Sequence, residues 1–139
     1  MAKYDAYGTA LHKGTNTGPV YAQVTNISGP SLSLDTVDVT SHDSTSAWEE
    51  VVATILRSGE ITLDIVYDPA NATHKYATNG LLYDMVSRTA ITLTLIFPDT
   101  ATTEWTFSAF VTAFEPSAPV DGALTASVTL KPTGVLTIV

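Results

Sequence analysis

Residues 60–68 read EITLDIVYD, with Ile61, Leu63, Ile65 and Tyr67 on one parity and Glu60, Thr62 and Asp64 on the other. Side chains of an extended chain point alternately to two faces, so this period of two predicts a strand with one buried and one wet face. Two later stretches follow the same rule. In AITLTLIFP (90–98), Ile91, Leu93, Leu95 and Phe97 oppose Thr92 and Thr94. In ALTASVTLK (123–131), Leu124, Ala126, Val128 and Leu130 oppose Thr125, Ser127, Thr129 and Lys131. Threonine on the outer parity fits a pleated, half-buried surface. TEWTFSAFVTAF (103–114) is apolar on both parities, with Trp105 and Phe107 on one and Phe110 and Phe114 on the other. Either a bulge switches the faces there or both faces are covered. Earlier strands are expected in PVYAQVTNI (19–27) and LDTVDVT (34–40).

One segment departs from this pattern. DPANATHKYATNGLLYDMVSR (68–88) opens with Asp68 as a candidate N-cap and Pro69 at the first helical position. His74, Ala77, Leu81 and Met85 recur at helical spacing, which predicts a helix over 69–88 with His74 packed on its apolar side. Gly80 weakens that helix, and Arg88 suits its negative pole. One helix among antiparallel strands predicts a mainly β fold, a sandwich or half-barrel of two antiparallel sheets with one flanking α-helix.

The chain has 139 residues, enough for one domain that buries about 68% of its unfolded surface. No linker or fixed repeat divides it, so 1–139 reads as one domain. The ends are turn-rich: residues 1–17 form an N-terminal arm, and 132–139, ending in apolar VLTIV, are either a C-terminal arm or a last strand. There is no Cys, which removes disulfides and thiolate chemistry. No apolar signal region or membrane-length run is present, so cytosolic residence is the expectation. Six Lys and Arg against fourteen Asp and Glu give a net charge of −8, spread along the chain. That balance argues against a grip on nucleic acid.

Chemistry has few candidates. DVTSHDSTSAWEE (38–50) gathers His42, Asp43 and Ser44, but triads are assembled in space, and no GxSxG elbow occurs. His12, His42 and His74 lack metal-ligand spacing, so no metal is expected. No phosphate-binding glycine motif is present, so no nucleotide or other cofactor is expected. NIS (26–28) and NAT (71–73) match the glycosylation acceptor by chance. Tyr76, Tyr83, Trp48 and Trp105 are the parts of a sugar platform, although packing is the commoner fate of such residues. No acid, base and nucleophile stand out together, so an enzyme is not expected.

Residues 27–69 and 95–134 resemble the major tail tube proteins of long, non-contractile bacteriophage tails. The pieces that carry the resemblance are DVTSH (38–42), GEITLDIVYDP (59–69), FPD (97–99), Trp105-Thr106-Phe107 and APVDGALTASVTLKPTG (118–134). The resemblance implies two antiparallel sheets with a helix outside, similar to contractile-tail tubes and Hcp rings. It implies rings of six copies whose sheets join into a barrel, stacked around a tape-measure protein. Tail tip and tail terminator proteins would be partners, and DNA would pass through without specific binding. Such a protein would reside in the virion tail after assembly in the host cytoplasm, with no membrane binding. Another β-sandwich virion component, such as a head–tail completion, tail terminator or decoration protein, is the alternative.

The resemblance also gives the loop at 41–58 a role in assembly. Trp48, Val51, Val52, Ile55 and Leu56 are too apolar for a free loop, so they are expected to contact other subunits or rings. Glu60, Thr62 and Asp64 are the first candidates for a lumen-facing surface, with Asp38 and Thr36 second.

Overall fold

A computed structural model describes residues 3–77 and 80–139. Its eight strands are β1 (Ala10–Lys13), β2 (Val24–Ser28), β3 (Leu32–Asp38), β4 (Val51–Ser58), β5 (Ile61–Val66), β6 (Ile91–Ile96), β7 (Glu104–Ser117) and β8 (Thr125–Ile138). Among the described residues one helix, α1, spans Leu81–Val86, and a short 3-10 turn spans Thr45–Ala47. Six strands form one antiparallel sheet in the order β1-β6-β7-β8-β5-β2, and β3 and β4 pair separately. The larger sheet curls into a half-barrel. The expectation of a mainly β half-barrel with a flanking helix therefore holds. The second sheet is a two-stranded hairpin rather than a full sandwich layer.

The alternation read in the sequence sets the core. Ile61, Leu63 and Ile65 of β5 are buried, while Thr62 and Asp64 are half-buried on the opposite face. Across the sheet, Leu63 sits opposite Val128, and Leu93 opposite Phe107, all buried in the core. Each such large apolar side chain contributes roughly 1.5–3 kcal/mol by leaving water. The two parities of residues 103–114 are resolved by a bulge. Val111 faces Leu130 and Ala113 faces Thr129, so Thr112 is the extra residue. Phe107 and Val111 thus point inward before the bulge, and Phe114 packs against the core after it. Phe110 is left on the outer face, partly exposed.

The helix is shorter than its sequence signals imply. Asp68 does not cap a helix; its Oδ1 accepts the Ala70 N–H at 3.0 Å, and Asn71 Oδ1 accepts the Thr73 N–H at 2.9 Å. These local bonds offer the backbone an alternative to the helix. Turns therefore run from Pro69, residues 78 and 79 lie outside the described residues, and the helix begins only after Gly80. A side chain at Gly80 would collide with the Lys75 carbonyl, so the chain turns too tightly there for a continuous helix. The apolar positions still face inward: His74 and Leu81 are fully buried. His74 Nδ1 accepts the Asp68 N–H at 3.2 Å, so Nε2 carries the proton and donates to the Ala22 carbonyl at 2.7 Å. It is a satisfied packing histidine.

Two ends of the chain join the sheet. Of the expected N-terminal arm, residues 10–13 form the edge strand β1, paired with β6. Lys13 reaches from it to Asp84 of α1 at 2.9 Å, with the carboxylate almost wholly buried. Tyr21 packs beside this pair, and burial together with the Asp84 charge pushes its hydroxyl's pKa up. The C-terminal segment is a strand rather than a free arm: β8 continues to Ile138, which sits opposite Trp105.

Candidate assembly surfaces

Two surfaces differ sharply in chemistry. The first is the face of the large sheet opposite the buried core. Cross-strand neighbours share a face. Asn26, Asp64, Ser127 and Glu115 therefore form one row across β2, β5, β8 and β7, and Ser28, Thr62, Thr129 and Ala113 form the next. Glu60 is exposed beyond the end of this strand face. The face carries hydroxyls, amides and carboxylates, with Lys131 as the cation beside Phe110. Glu60, Thr62 and Asp64 thus lie together on β5 or just before it. Thr36 and Asp38 do not join them, because both lie on β3 of the separate hairpin.

The second surface is that hairpin. Residues 41–58, expected as a loop, are a turn followed by strand β4, so the segment is largely structured. Leu34 pairs with Leu56, Thr36 with Ala53, and Val37 with Val52. Between Leu34 and Thr36 the register shifts, with Thr54 and Ile55 against Asp35 alone. Leu34 and Val37 point to opposite faces, so the hairpin is apolar on both sides. No residue of β3 or β4 is buried. Leu56 is 81% exposed, Ile55 54% and Trp48 75%. The arm is held across its strands by Arg57 on Asp35 at 2.7 Å and by the Thr54 hydroxyl on the Asp35 carbonyl at 3.1 Å. A lone two-stranded ribbon is marginal in water, and one with two exposed apolar faces presents contact surface on both sides.

The tip of the arm is built by its own polar groups. The Glu50 N–H donates to Thr40 Oγ1 at 2.8 Å, and Ser44 Oγ donates to Glu50 Oε2 at 2.7 Å. The Thr40 hydroxyl and N–H hold the Asp38 carboxyl below its ordinary range. Ser44 is thus engaged with Glu50, and His42 is exposed, so the adjacent His42, Asp43 and Ser44 form no triad. Among the described residues no three His, Asp or Glu converge as a metal site. The four aromatics do not gather either. Trp105 packs edge-on against Phe97 at 5.5 Å, Tyr76 and Tyr83 pair at 5.9 Å, and Trp48 stands on the arm.

Residues 12–138 match the sequence model of a family described as phage tail tube protein. The chain belongs to the phage tail tube protein family. The half-barrel is also found in solved assemblies. A chain in the virion of a native gene transfer agent particle superposes with a TM-score of 0.76 at 16% identity, covering 99% of each chain. A chain from the tail of an empty particle of that agent, refined with C6 symmetry, gives 0.74 at 16% identity over 99% of each chain. A chain of the SPP1 tail tube gives 0.61 at 10% identity, over 94% of this chain and 74% of that one. No curated protein matches the chain. The protein is therefore a structural component of a tail tube and not a member of an enzyme family.

Proposed function

We propose that six copies form a ring, that rings stack into a hollow tube, and that the polar sheet face lines its channel. The observation that carries this reading is the division of the surface: one continuous hydroxyl- and carboxylate-rich sheet face, and one projecting arm that is apolar on both sides. Glu60, Thr62 and Asp64 belong to the channel, where carboxylates repel phosphate and hydroxyls read no base, so DNA slides without sticking. Trp48, Val51, Val52, Ile55 and Leu56 belong to the contacts between subunits or rings. Thr36 and Asp38 go with those contacts, because they share the arm with Leu34 and Leu56.

The six-fold symmetry of the gene transfer agent tail supports the ring number. The ladder edge of β2, at one margin of the sheet, supports joining of sheets between copies, whereas β1 at the other margin is already met by Pro19 and Tyr21 of its own chain. The tube would surround a tape-measure protein, start on a tail tip, end at a terminator and assemble in the host cytoplasm. It would conduct DNA to the host from a long non-contractile tail.

Negative-stain microscopy of purified protein at rising concentration tests this reading. Long tubes with a stained central channel are expected. Single rings that never stack would place the protein among completion or terminator components instead.

A further inference from the structure

We propose that the acidic tip of the β3–β4 arm of one copy docks on an aromatic, cationic patch around α1 of a second copy. The inference rests on the tube reading and names the receptor for its arm. The tip presents Trp48 flanked by Asp43, Glu49 and Glu50, with Asp38 at its base. Its backbone is already ordered by the Thr40–Glu50 and Ser44–Glu50 bonds, so docking orders little new chain.

The patch is its chemical opposite. Tyr76 is 63% exposed, Tyr83 39% and Val86 59%, with the two tyrosine rings 5.9 Å apart. Lys75 precedes Tyr76 and Arg88 follows α1 in sequence, both exposed and in no ion pair among the described residues. The chain has only six Lys and Arg in all, and Lys13 and Arg57 are engaged by Asp84 and Asp35. Two of the remaining four thus stand at one aromatic surface of a protein with net charge −8. The nearby Asp84 is buried against Lys13, and Asp68 is half-buried and accepts the Ala70 N–H. An indole set among carboxylates and tyrosines set between cations are complementary in shape class and in sign.

Position in the fold agrees. The arm joins β5 at its Ile61 end, and the segment that carries the patch leaves β5 at its Val66 end. Six strand residues separate these ends by about 20 Å. The base of the arm and the segment that carries the patch therefore leave opposite ends of β5. A contact between tip and patch is head-to-tail and does not close on itself in a pair, which is the geometry of an open stack.

The other apolar recess is a poorer receptor. This cavity of about 950 Å³ is walled by Val24, Ile27, Leu95, Phe97 and Trp105. It borders Gly29, at the same end as the arm, and Asp5 and Asp99 at its margin repel an acidic tip.

The absence of cysteine gives a clean test. A chain carrying both Thr45→Cys and Ser87→Cys, exposed positions beside the tip and the patch that leave Trp48 and Tyr83 in place, is assembled, oxidised and run on a non-reducing gel. A ladder that extends past dimer is expected, because each copy offers both halves of the contact, and neither single variant can link beyond a dimer. Tubes of the double variant that give only monomer and dimer would overturn the docking. In parallel, Lys75→Glu with Arg88→Glu should raise the concentration needed for assembly at low salt by about ten-fold or more, the effect of ~1.4 kcal/mol. Adding Asp43→Lys and Glu49→Lys should restore it, which a folding defect would not allow. If the reversed patch assembles like wild type, the docking falls while wild-type tubes leave the tube reading standing. If wild type gives neither tubes nor rings, the tube reading falls and takes the docking with it.

Discussion

Strands β5 and β4 are neighbours in sequence, joined only by Gly59 and Glu60, yet they obey different rules. β5 buries every second residue, Ile61, Leu63 and Ile65. β4 buries none, although VVATIL is as apolar. The difference lies in the pattern. ITLDIV keeps its apolar atoms on one parity, so one partner surface satisfies it. VVATIL places apolar side chains on both parities, so a ribbon that carries it needs cover on two sides. One subunit offers the arm none. A strand whose alternation is clean folds on its own chain. β7 also breaks its alternation, but its bulge at Thr112 returns Phe114 to the core, whereas both faces of β4 stay exposed and present contact surface.

The contrast can be broken by mutation at either strand. Leu63→Ala should destabilise the free subunit by about 2–5 kcal/mol, read as a shift of the denaturant midpoint. A cost below ~1 kcal/mol would remove β5 from the core.

Trp48→Ala with Ile55→Ala should leave that midpoint within about 0.5 kcal/mol of wild type and abolish polymerisation. Interface anchors of this kind are each often worth ~2 kcal/mol or more. Unfolding of this variant would make the arm part of the subunit core.

A smaller effect is expected on the polar face. Glu60→Lys with Asp64→Lys preserves the buried parity of β5, so tubes of normal appearance should form. Six-fold repetition would turn a negative band positive, and the tubes should bind DNA at low salt and release it as salt rises. Tubes with no gain of DNA affinity would put this face outside the channel.

The smallest effect concerns the tip. The Asp38 carboxyl is held below its usual 3.8 by the Thr40 hydroxyl and N–H. A depressed folded-state value means that this contribution is complete above the unfolded value and is lost as pH falls through the folded one. Protection at residues 39–50, taken relative to the intrinsic exchange rate, should fall only below about pH 4, and Thr40→Val, which keeps the N–H bond to Asp38, should shrink that pH step.

Much of the sheet was legible because β5 and the first half of β8 each bury one parity; β6 does so except at Thr94, which is buried and donates its hydroxyl to the Gly14 carbonyl at 2.7 Å. The bulge at Thr112 was legible as an alternative, and the register of Val111 and Ala113 decides it. The helix was over-read. Asp68-Pro69 is a sound start signal, but Asp68 and Asn71 bind nearby backbone instead, and Gly80 packs against the Lys75 carbonyl. The arm was legible by composition and not by form. Its bulge at Thr54 and Ile55 blurs the alternation, so a paired strand reads as a loop. The separation of Thr36 and Asp38 from Glu60, Thr62 and Asp64 was not legible at all, since strand parity says nothing about which sheet a strand joins. Nor was the Lys13–Asp84 pair, whose partners lie 71 residues apart.

Amide hydrogen exchange on the free subunit and on the assembled tube tests the central claim most directly. Residues 32–58 should gain protection on going from the free subunit to the tube, while β5 and the first half of β8 stay equally protected in both. Equal exchange of the arm in the two states would contradict the assignment of β3 and β4 to assembly.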